Sequence, residues 1–90
     1  MKLGQVVVTR GVNELMKSDV KFANFIFDCM GRYAIHDWGD LPESDKAMND
    51  SAIKNNDDRI LARYNHEWEP IYVITEWDRS ATTILFTSEY

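Results

Sequence analysis

The stretch that decides the fold is residues 59–87, RILARYNHEWEPIYVITEWDRSATTILFT. Three runs in it are rich in β-branched and aromatic residues, which is typical of strands. These runs cover residues 59–64, 71–77 and 82–87. The connections at residues 65–70 and 78–81 are short and contain turn-forming residues. Strands that follow one another through short connections usually pair, so this stretch predicts a three-stranded antiparallel meander.

The amino-terminal part begins with a shorter strand. Residues 5–9 form a β-branched run, which predicts a strand. Arg10 and Gly11 are expected to end this strand before a brief helical turn around residues 13–17.

Two longer helices are predicted before the meander. Ser18 or Asp19 can cap the first helix, which runs to about Tyr33. Its apolar residues recur at the spacing of one buried helix face. These residues are Phe22, Phe25, Ile26, Cys29, Met30 and Tyr33. The second helix is predicted from Asp40, placed as its amino-terminal cap, to about Asn55. The residues expected on its buried side are Leu41, Met48 and Ala52.

The predicted elements combine into an α+β two-layer sandwich. The first strand joins the meander and both helices pack on one face of the sheet, which gives the order βααβββ and a mainly antiparallel sheet. A chain of 90 residues buries one hydrophobic core and not two, so residues 1–90 are expected to form a single domain. Its apolar fraction of 44% is far above that of a disordered chain. We expect a monomer or a small homo-oligomer.

Cysteine usage and the amino terminus indicate the compartment. Cys29 is the only cysteine, so the chain forms no internal disulfide, which favours a reducing environment. The apolar run within residues 1–8 is too short for a signal peptide or a membrane span. We therefore expect a cytoplasmic protein that has no membrane partner.

Charge distinguishes between classes of macromolecular partner. The formal net charge is −5, and the lysines and arginines are dispersed along the chain, whereas binding to a phosphate backbone requires a clustered basic surface. Direct binding of nucleic acid is therefore not expected. An acidic exterior would instead direct the protein to a basic surface, such as the nucleic-acid groove of another protein.

Acidic residues are concentrated around the second predicted helix. Glu43, Asp50 and Asp57 recur every seven residues, so on a helix they would project along one exposed stripe. Such a stripe can imitate the phosphates of nucleic acid and compete for a basic groove. The alternative is an ordinary solvated helix face on which these acids pair with Lys46 and Lys54.

The loop at residues 36–40 contains the residues most suggestive of catalysis. His36 beside Asp37 could act as a general acid and base, but neighbouring side chains in a loop point in different directions, and Asp is common in turns and caps. Trp38 is expected to anchor this loop on the core. A buried Cys29 would be a poor nucleophile, and no pair of histidines has zinc-binding spacing. We predict no enzyme activity, no metal and no cofactor.

The loop at residues 76–83 has two interpretations. A loop that contains Arg, Ser and Thr can bind an anion, but phosphate loops usually require several glycines, and this loop has none. The structural interpretation is a hairpin connection in which Asp78 and Ser80 bond to turn amides and Arg79 pairs with a carboxylate. Arg79 is also a candidate interface residue, because arginine is a frequent interface anchor.

Three strings of this sequence resemble a family of small proteins labelled "plasmid-related", which occur on plasmids, conjugative elements and prophages of gut bacteria. The first two strings are residues 37–41 with Asp45 and residues 49–50, and residues 59–62 with Tyr64. The third is residues 74–76 and 78–83, which lead to residues 88–90. The resemblance extends from Gly4 to Tyr90. It implies a mobile-element context, in which small acidic proteins often inhibit host defence, including anti-CRISPR and anti-restriction proteins.

The favoured prediction is a non-enzymatic inhibitor that binds a host defence nuclease or its effector complex. The residues predicted to bind the partner are Asp37, Trp38, Asp40, Glu43, Asp50, Asp57 and Arg79. An alternative is a regulatory module that binds a small molecule or peptide between helix and sheet, with Trp38, Trp68 and Trp77 as its lining. A third hypothesis is a hydrolase that uses His36 and Asp37.

Overall fold

The structure, a computed structural model, describes residues 1–90. They form four strands, three α-helices and a final 3-10 helix. In chain order the elements are β1 (Gln5–Val8), α1 (Arg10–Ser18), α2 (Val20–Ala34), α3 (Glu43–Asn55), β2 (Ile60–Tyr64), β3 (Ile71–Thr75), β4 (Ala81–Phe86) and the 3-10 helix (Thr87–Glu89). The predicted α+β class is confirmed, and the observed order is βαααβββ.

The four strands form one mixed sheet in the order β1-β4-β3-β2. Consecutive strands β2, β3 and β4 pair antiparallel, which confirms the predicted meander. Strand β1 pairs parallel to β4, with Gln5 opposite Ala81 and Val8 opposite Ile84. A parallel pair requires a long connection between its strands, and here that connection is formed by the helices and the meander. The sequence pattern of β1 contains no information about this direction.

Helix α1 replaces the brief helical turn predicted around residues 13–17. Its first turn is capped by Thr9, whose hydroxyl accepts a hydrogen bond from the amide of Val12 at 3.4 Å. Strand β1 thus ends before Arg10 and Gly11, as predicted, and both residues lie in the first turn of α1. Asp19 separates α1 from α2, because its amide donates to the carbonyl of Leu15 and its carboxylate accepts from the amide of Phe22.

The core lies between the helices and one face of the sheet. The predicted buried stripe of α2 is confirmed, since Phe22, Ile26, Cys29 and Tyr33 are all buried. They pack against Val12, Trp38, Ala52, Ile60, Ala62, Tyr64, Ile71, Val73 and Ile84. Burial raises the pKa of the Cys29 thiol to about 12, so this group is protonated and a poor nucleophile near neutral pH.

A chain of hydroxyl groups crosses this core. Thr82 donates to the carbonyl of Leu3 at 2.7 Å, and its hydroxyl also contacts that of Thr75, which contacts that of Tyr33, both at 2.7 Å. Because each hydroxyl has one proton, Thr75 must donate to Thr82, and Tyr33 must donate to Thr75. The buried polar groups are thus paired from α2 to the amino-terminal segment.

Helix α3 ends at Asn55, as predicted, but it differs from its prediction at the amino-terminal end and on its buried face. Pro42 occupies the cap position and makes no side-chain bond there, whereas the carboxylate of Asp40 accepts from the amide of Asn65 at 2.8 Å. The buried residues of α3 are Asn49 and Ala52, while Met48, predicted to be buried, is 63% exposed. The polar residue Asn49 is therefore buried on α3, whereas its apolar neighbour Met48 is not.

A prediction about pH follows from His66. Its ring packs against Phe22, Phe25 and Trp68, and Nδ1 accepts from the amide of Trp68 at 2.8 Å. Burial lowers the pKa of His66, so protonation of the ring is less favourable in the folded state than in the unfolded state. Because the unfolded state binds a proton more readily, the stability that depends on this ring is present above about pH 6.5 and is lost as the pH falls through the lowered folded pKa.

Urea unfolding at pH 7.5 and pH 5.5 tests this linkage, with His66→Asn as the comparison. The Asn side-chain oxygen can accept from the Trp68 amide and does not titrate. The wild type should lose stability between the two pH values, and His66→Asn should lose less. An equal loss in both proteins would show that other groups cause the acid sensitivity.

Candidate protein-binding surface

The loop that follows α2 closes the edge of the sheet at β2. The carbonyl of Trp38 accepts from the amide of Arg63 at 3.3 Å, and the amide of Asp40 donates to the carbonyl of Arg63 at 2.6 Å. Gly39 lies between them with φ 76°, and a Cβ there would be 2.0 Å from the Arg63 carbonyl oxygen. Only glycine fits this approach. The loop therefore pairs with β2 as a very short parallel strand.

Asn49 of α3 closes the next position on the same edge. Its side-chain NH₂ donates to the carbonyl of Leu61 at 2.8 Å, and its side-chain oxygen accepts from the amide of Leu61 at 3.2 Å. The amide side chain thus pairs with β2 as the backbone of a neighbouring strand would. This interaction attaches α3 directly to the sheet.

Trp38 anchors the loop on the core, as predicted. Its ring is buried and packs edge-on against Tyr33, while His36 stacks on it with ring centroids 5.2 Å apart. Its Nε1 donates to the carboxylate of Asp50 at 2.9 Å. The structure therefore brings Trp38 and Asp50 together, and their bond ties the loop to α3.

The carboxylate of Asp37 also has structural partners. Arg32 donates to it through two nitrogens at 2.7 and 3.2 Å, and the amide of Gly39 donates at 3.1 Å. The hydrogen bond from Arg32 is the largest cause of the lowered Asp37 pKa. Asp37 is therefore paired with Arg32, and no hydrogen bond joins it to His36.

The predicted acidic stripe of Glu43, Asp50 and Asp57 is wrong as a helical feature. Helix α3 ends at Asn55, and Asn56 adopts a left-handed conformation with φ 51°, so Asp57 lies beyond the helix. Asp50 bonds to Trp38, and Glu43 is highly exposed, 3.7 Å from the ammonium of Lys46. The three carboxylates do not project along one helix face.

Arg79 connects α3 to the hairpin between β3 and β4. Its guanidinium donates to five backbone carbonyls, those of Ala52, Asp57, Asp58, Glu76 and Trp77. The predicted pairing of Arg79 with a carboxylate is therefore wrong. A cation at the carboxyl end of a helix is also favoured by the helix dipole. Arg79 and Asp57, both predicted to bind the partner, are thus neighbours in the structure.

Two large apolar side chains project from this region. Trp77 is 68% exposed at the tip of the hairpin, and Met48 is 63% exposed on α3. Because Arg79 bonds to the carbonyls of both Trp77 and Asp58, the hairpin tip lies next to the turn after α3. We call this region the α3–hairpin surface; it consists of Asp45, Met48, Asp57, Asp58, Glu76, Trp77 and Asp78.

The carboxylates of the α3–hairpin surface have no cationic partner. The three ion pairs of the protein use Glu14, Asp37 and Glu43, none of which belongs to this surface. The carboxylate of Asp78 accepts from the side chain of Ser80, which lowers the pKa of Asp78. As predicted, it also accepts from the amide of Ser80 in the turn. The surface thus combines unpaired negative charge with exposed apolar groups.

The sequence pattern did not identify the centre of this surface. Met48 was assigned to a buried face, and Trp77 was assigned to a strand that ends two residues earlier, at Thr75. The sequence did contain a signal for the exposure of Trp77, because this residue lies between Glu76 and Asp78. A tryptophan between two carboxylates is difficult to bury.

The three tryptophans of the alternative hypothesis do not come together. Trp38 packs on Tyr33, whereas Trp68 packs on Phe22 at the other end of α2. None of the five surface cavities is lined by a tryptophan. One groove of about 220 Å³ lies between α3 and β2. It is lined by Asp45, Met48, Asn49, Asp58, Arg59 and Leu61.

A substitution at Arg79 tests its connecting role. In Arg79→Lys a single ammonium cannot reach carbonyls of both α3 and the hairpin, so the free energy of unfolding should fall by roughly 2 kcal/mol. The control is Arg10→Lys, because Arg10 makes only an exposed pair with Glu14 and its replacement should cost less than about 0.5 kcal/mol. Urea unfolding measures both. Equal stability of Arg79→Lys and wild type would refute the role.

No helix in the structure combines the length and apolar character needed to cross a lipid bilayer. No three His, Cys, Asp or Glu side chains are grouped as a metal site requires. No protein-family model, no curated protein and no solved structure matches this chain.

Proposed function

We propose that this protein is a non-enzymatic binding module that attaches to a basic surface of another protein through the α3–hairpin surface. The observation that carries the proposal is that Trp77 and Met48 of the α3–hairpin surface are both exposed, while the carboxylates of this surface take part in no ion pair. Protein interfaces commonly have this composition, with an apolar centre enriched in aromatic residues and methionine and a polar rim.

The apolar and charged groups have different roles in this proposal. Trp77 and Met48 supply the area that is removed from water, and tryptophan is among the residues that most often dominate binding energy. The carboxylates of Asp45, Asp57 and Asp58 attract a basic partner and increase the association rate. Loss of the apolar groups should therefore raise the dissociation rate, and loss of the charges should lower the association rate.

The backbone of the surface is fixed before binding. Arg79 holds the carbonyls of Glu76 and Trp77 on one side and those of Asp57 and Asp58 on the other. A surface that is already ordered loses less conformational entropy on binding. Arg79 therefore contributes to binding by positioning the surface.

The partner class that best fits this surface is a protein with a nucleic-acid-binding groove, because such grooves are basic and an acidic surface can compete for them. Together with the resemblance to plasmid-related proteins, this supports an inhibitor of a host defence nuclease or effector complex, of the anti-CRISPR or anti-restriction type. Such an inhibitor would act in the cytoplasm, and its gene would belong to a mobile genetic element.

The groove beside α3 favours a second candidate, a basic peptide as the ligand. The groove contains two carboxylates, those of Asp45 and Asp58, against one cation, Arg59, and its apolar lining is Met48 and Leu61. Its volume of about 220 Å³ is below the roughly 300 Å³ at which small-molecule sites begin. A peptide that extends out of the groove therefore fits better than a metabolite.

Affinity capture with matched variants tests the proposal. The immobilised wild type is compared with Trp77→Ala and with the triple variant Asp45→Asn, Asp57→Asn and Asp58→Asn, in lysates of cells that encode several defence systems. A matched triple variant, Glu14→Gln, Glu67→Gln and Glu69→Gln, removes the same charge elsewhere. Quantitative mass spectrometry should show retention of a nucleic-acid-binding protein that falls at least about tenfold in the first two variants and little in the matched control. Equal loss in both triple variants would mean that only net charge matters, which contradicts a defined surface.

A further inference from the structure

Helix α2 has a second apolar face that nothing in the protomer covers. Its inner face packs on the sheet, but Val20, Phe27 and Ile35 are 75%, 67% and 79% exposed. Val20 and Phe27 are seven residues apart, so they lie along one side of α2, and Ile35 follows at the carboxyl-terminal cap of the helix. Exposed apolar side chains that line up in this way usually mark an interaction site.

Next to Phe27, the largest of these side chains, the helix surface has a position without a side chain, which we call the depression. Gly31 follows Phe27 by one helical turn, and no atom lies within 4 Å of the place where a Cβ of Gly31 would be. Glycine inside a helix costs roughly 1 kcal/mol relative to alanine, and no contact within the protomer explains its presence at this position. The outer face of α2 therefore presents a protruding ring and, one turn later, a site without a side chain.

We propose that a second copy of this chain covers this face, with the two α2 helices packed antiparallel about a two-fold axis. The two-fold axis crosses the outer face of α2 midway between Phe27 and Gly31, at the height of Cys29 along the helix. Phe27 then lies against the partner's Gly31, and Gly31 lies against the partner's Phe27. A two-fold interface must be complementary to itself. Because the ring and the depression lie on the same stripe, one rotation satisfies both.

The charges beside the stripe agree with the same arrangement. Asp28 has no ion pair or side-chain hydrogen bond within the protomer, and Arg32 follows it by one turn on the same flank. The same two-fold axis brings Asp28 near the partner's Arg32. The Nε and Nη2 of Arg32 bond to Asp37 of the same chain, so the remaining nitrogen, Nη1, is the one that can donate to Asp28 of the other copy. Helix α2 has two cations and one anion, so the net charge of −5 is not concentrated at this contact.

The size of the face sets the expected strength. A helix of 15 residues is about 22 Å long, and two such helices bury less area than a standard stable interface of about 1,600 Å². We therefore expect a weak dimer, with a dissociation constant on the order of micromolar. Dimer and monomer should then exchange within an accessible concentration range.

Sedimentation equilibrium over a wide concentration range tests the proposal. The wild-type mass should rise from that of one chain toward that of two. Phe27→Asp introduces a charge at the centre of the contact, and Gly31→Leu fills the depression, so each should raise the dissociation constant at least about tenfold. The control Met48→Asp makes the same kind of change on α3 and should leave the dimer intact.

Circular dichroism verifies that each variant is folded. Gly31→Leu should fold at least as stably as the wild type, since leucine favours helix more than glycine does, so it tests the contact even if Phe27→Asp is unstable. A wild type that stays monomeric throughout, or a dimer that both variants leave intact, would overturn the proposal. Neither result bears on the α3–hairpin surface, because capture of its partner is measured separately.

Discussion

The side chain of Asn49 bonds to both backbone groups of Leu61, and the backbone of Trp38 and Asp40 bonds to both backbone groups of Arg63. Together these bonds close one edge of the sheet, which would otherwise present unpaired donors and acceptors to any other strand. They also hold α3 in place. Only Asn49 and Ala52 of α3 are buried, so α3 is attached mainly by polar bonds to defined partners and only slightly by apolar packing.

This mode of attachment explains why α3 can expose what a packed helix would bury. The helix is fixed at three points, by Asn49 on β2, by the bond from Trp38 to Asp50, and by the bond from Arg79 to the carbonyl of Ala52. Most of its remaining surface faces solvent, so Met48 and the nearby carboxylates need no partner within the protomer. The same guanidinium orders the hairpin that displays Trp77. The fold thus holds in place an acidic surface that also exposes Met48 and Trp77, which is the basis of the proposed binding function.

Sequence patterns predicted the parts of the fold that depend on local periodicity. The meander and the buried stripe of α2 follow from alternation and from helical spacing, and the role of Trp38 follows from its size in a short loop. The patterns failed where one polar side chain bonds to a distant backbone. Asn49 bonds to Leu61, 12 positions away in the sequence, and Arg79 bonds to Ala52, 27 positions away. The periodicity of apolar residues contains no information about such pairs. The parallel direction of β1 and the exposure of Met48 were missed for the same reason, because both depend on tertiary contacts. For the candidate site, the prediction placed the acidic residues around α3, but it assigned a helical stripe to carboxylates that the structure separates.

Hydrogen exchange of the backbone amide of Leu61, measured by NMR in wild type and in Asn49→Ala, tests edge closure most directly. The amide of Val6 in β1 is an internal reference. The amides of Gln5 and Thr9 donate to the carbonyls of Ser80 and Ile84, on the β4 side. Because backbone groups alternate in direction along a strand, the amide of Val6 points to the open edge. The account predicts that Leu61 in the wild type exchanges far more slowly than Val6, and that Asn49→Ala removes most of this protection. An amide of Leu61 that exchanges as fast as that of Val6 in the wild type, or equally slowly in both proteins, would contradict it.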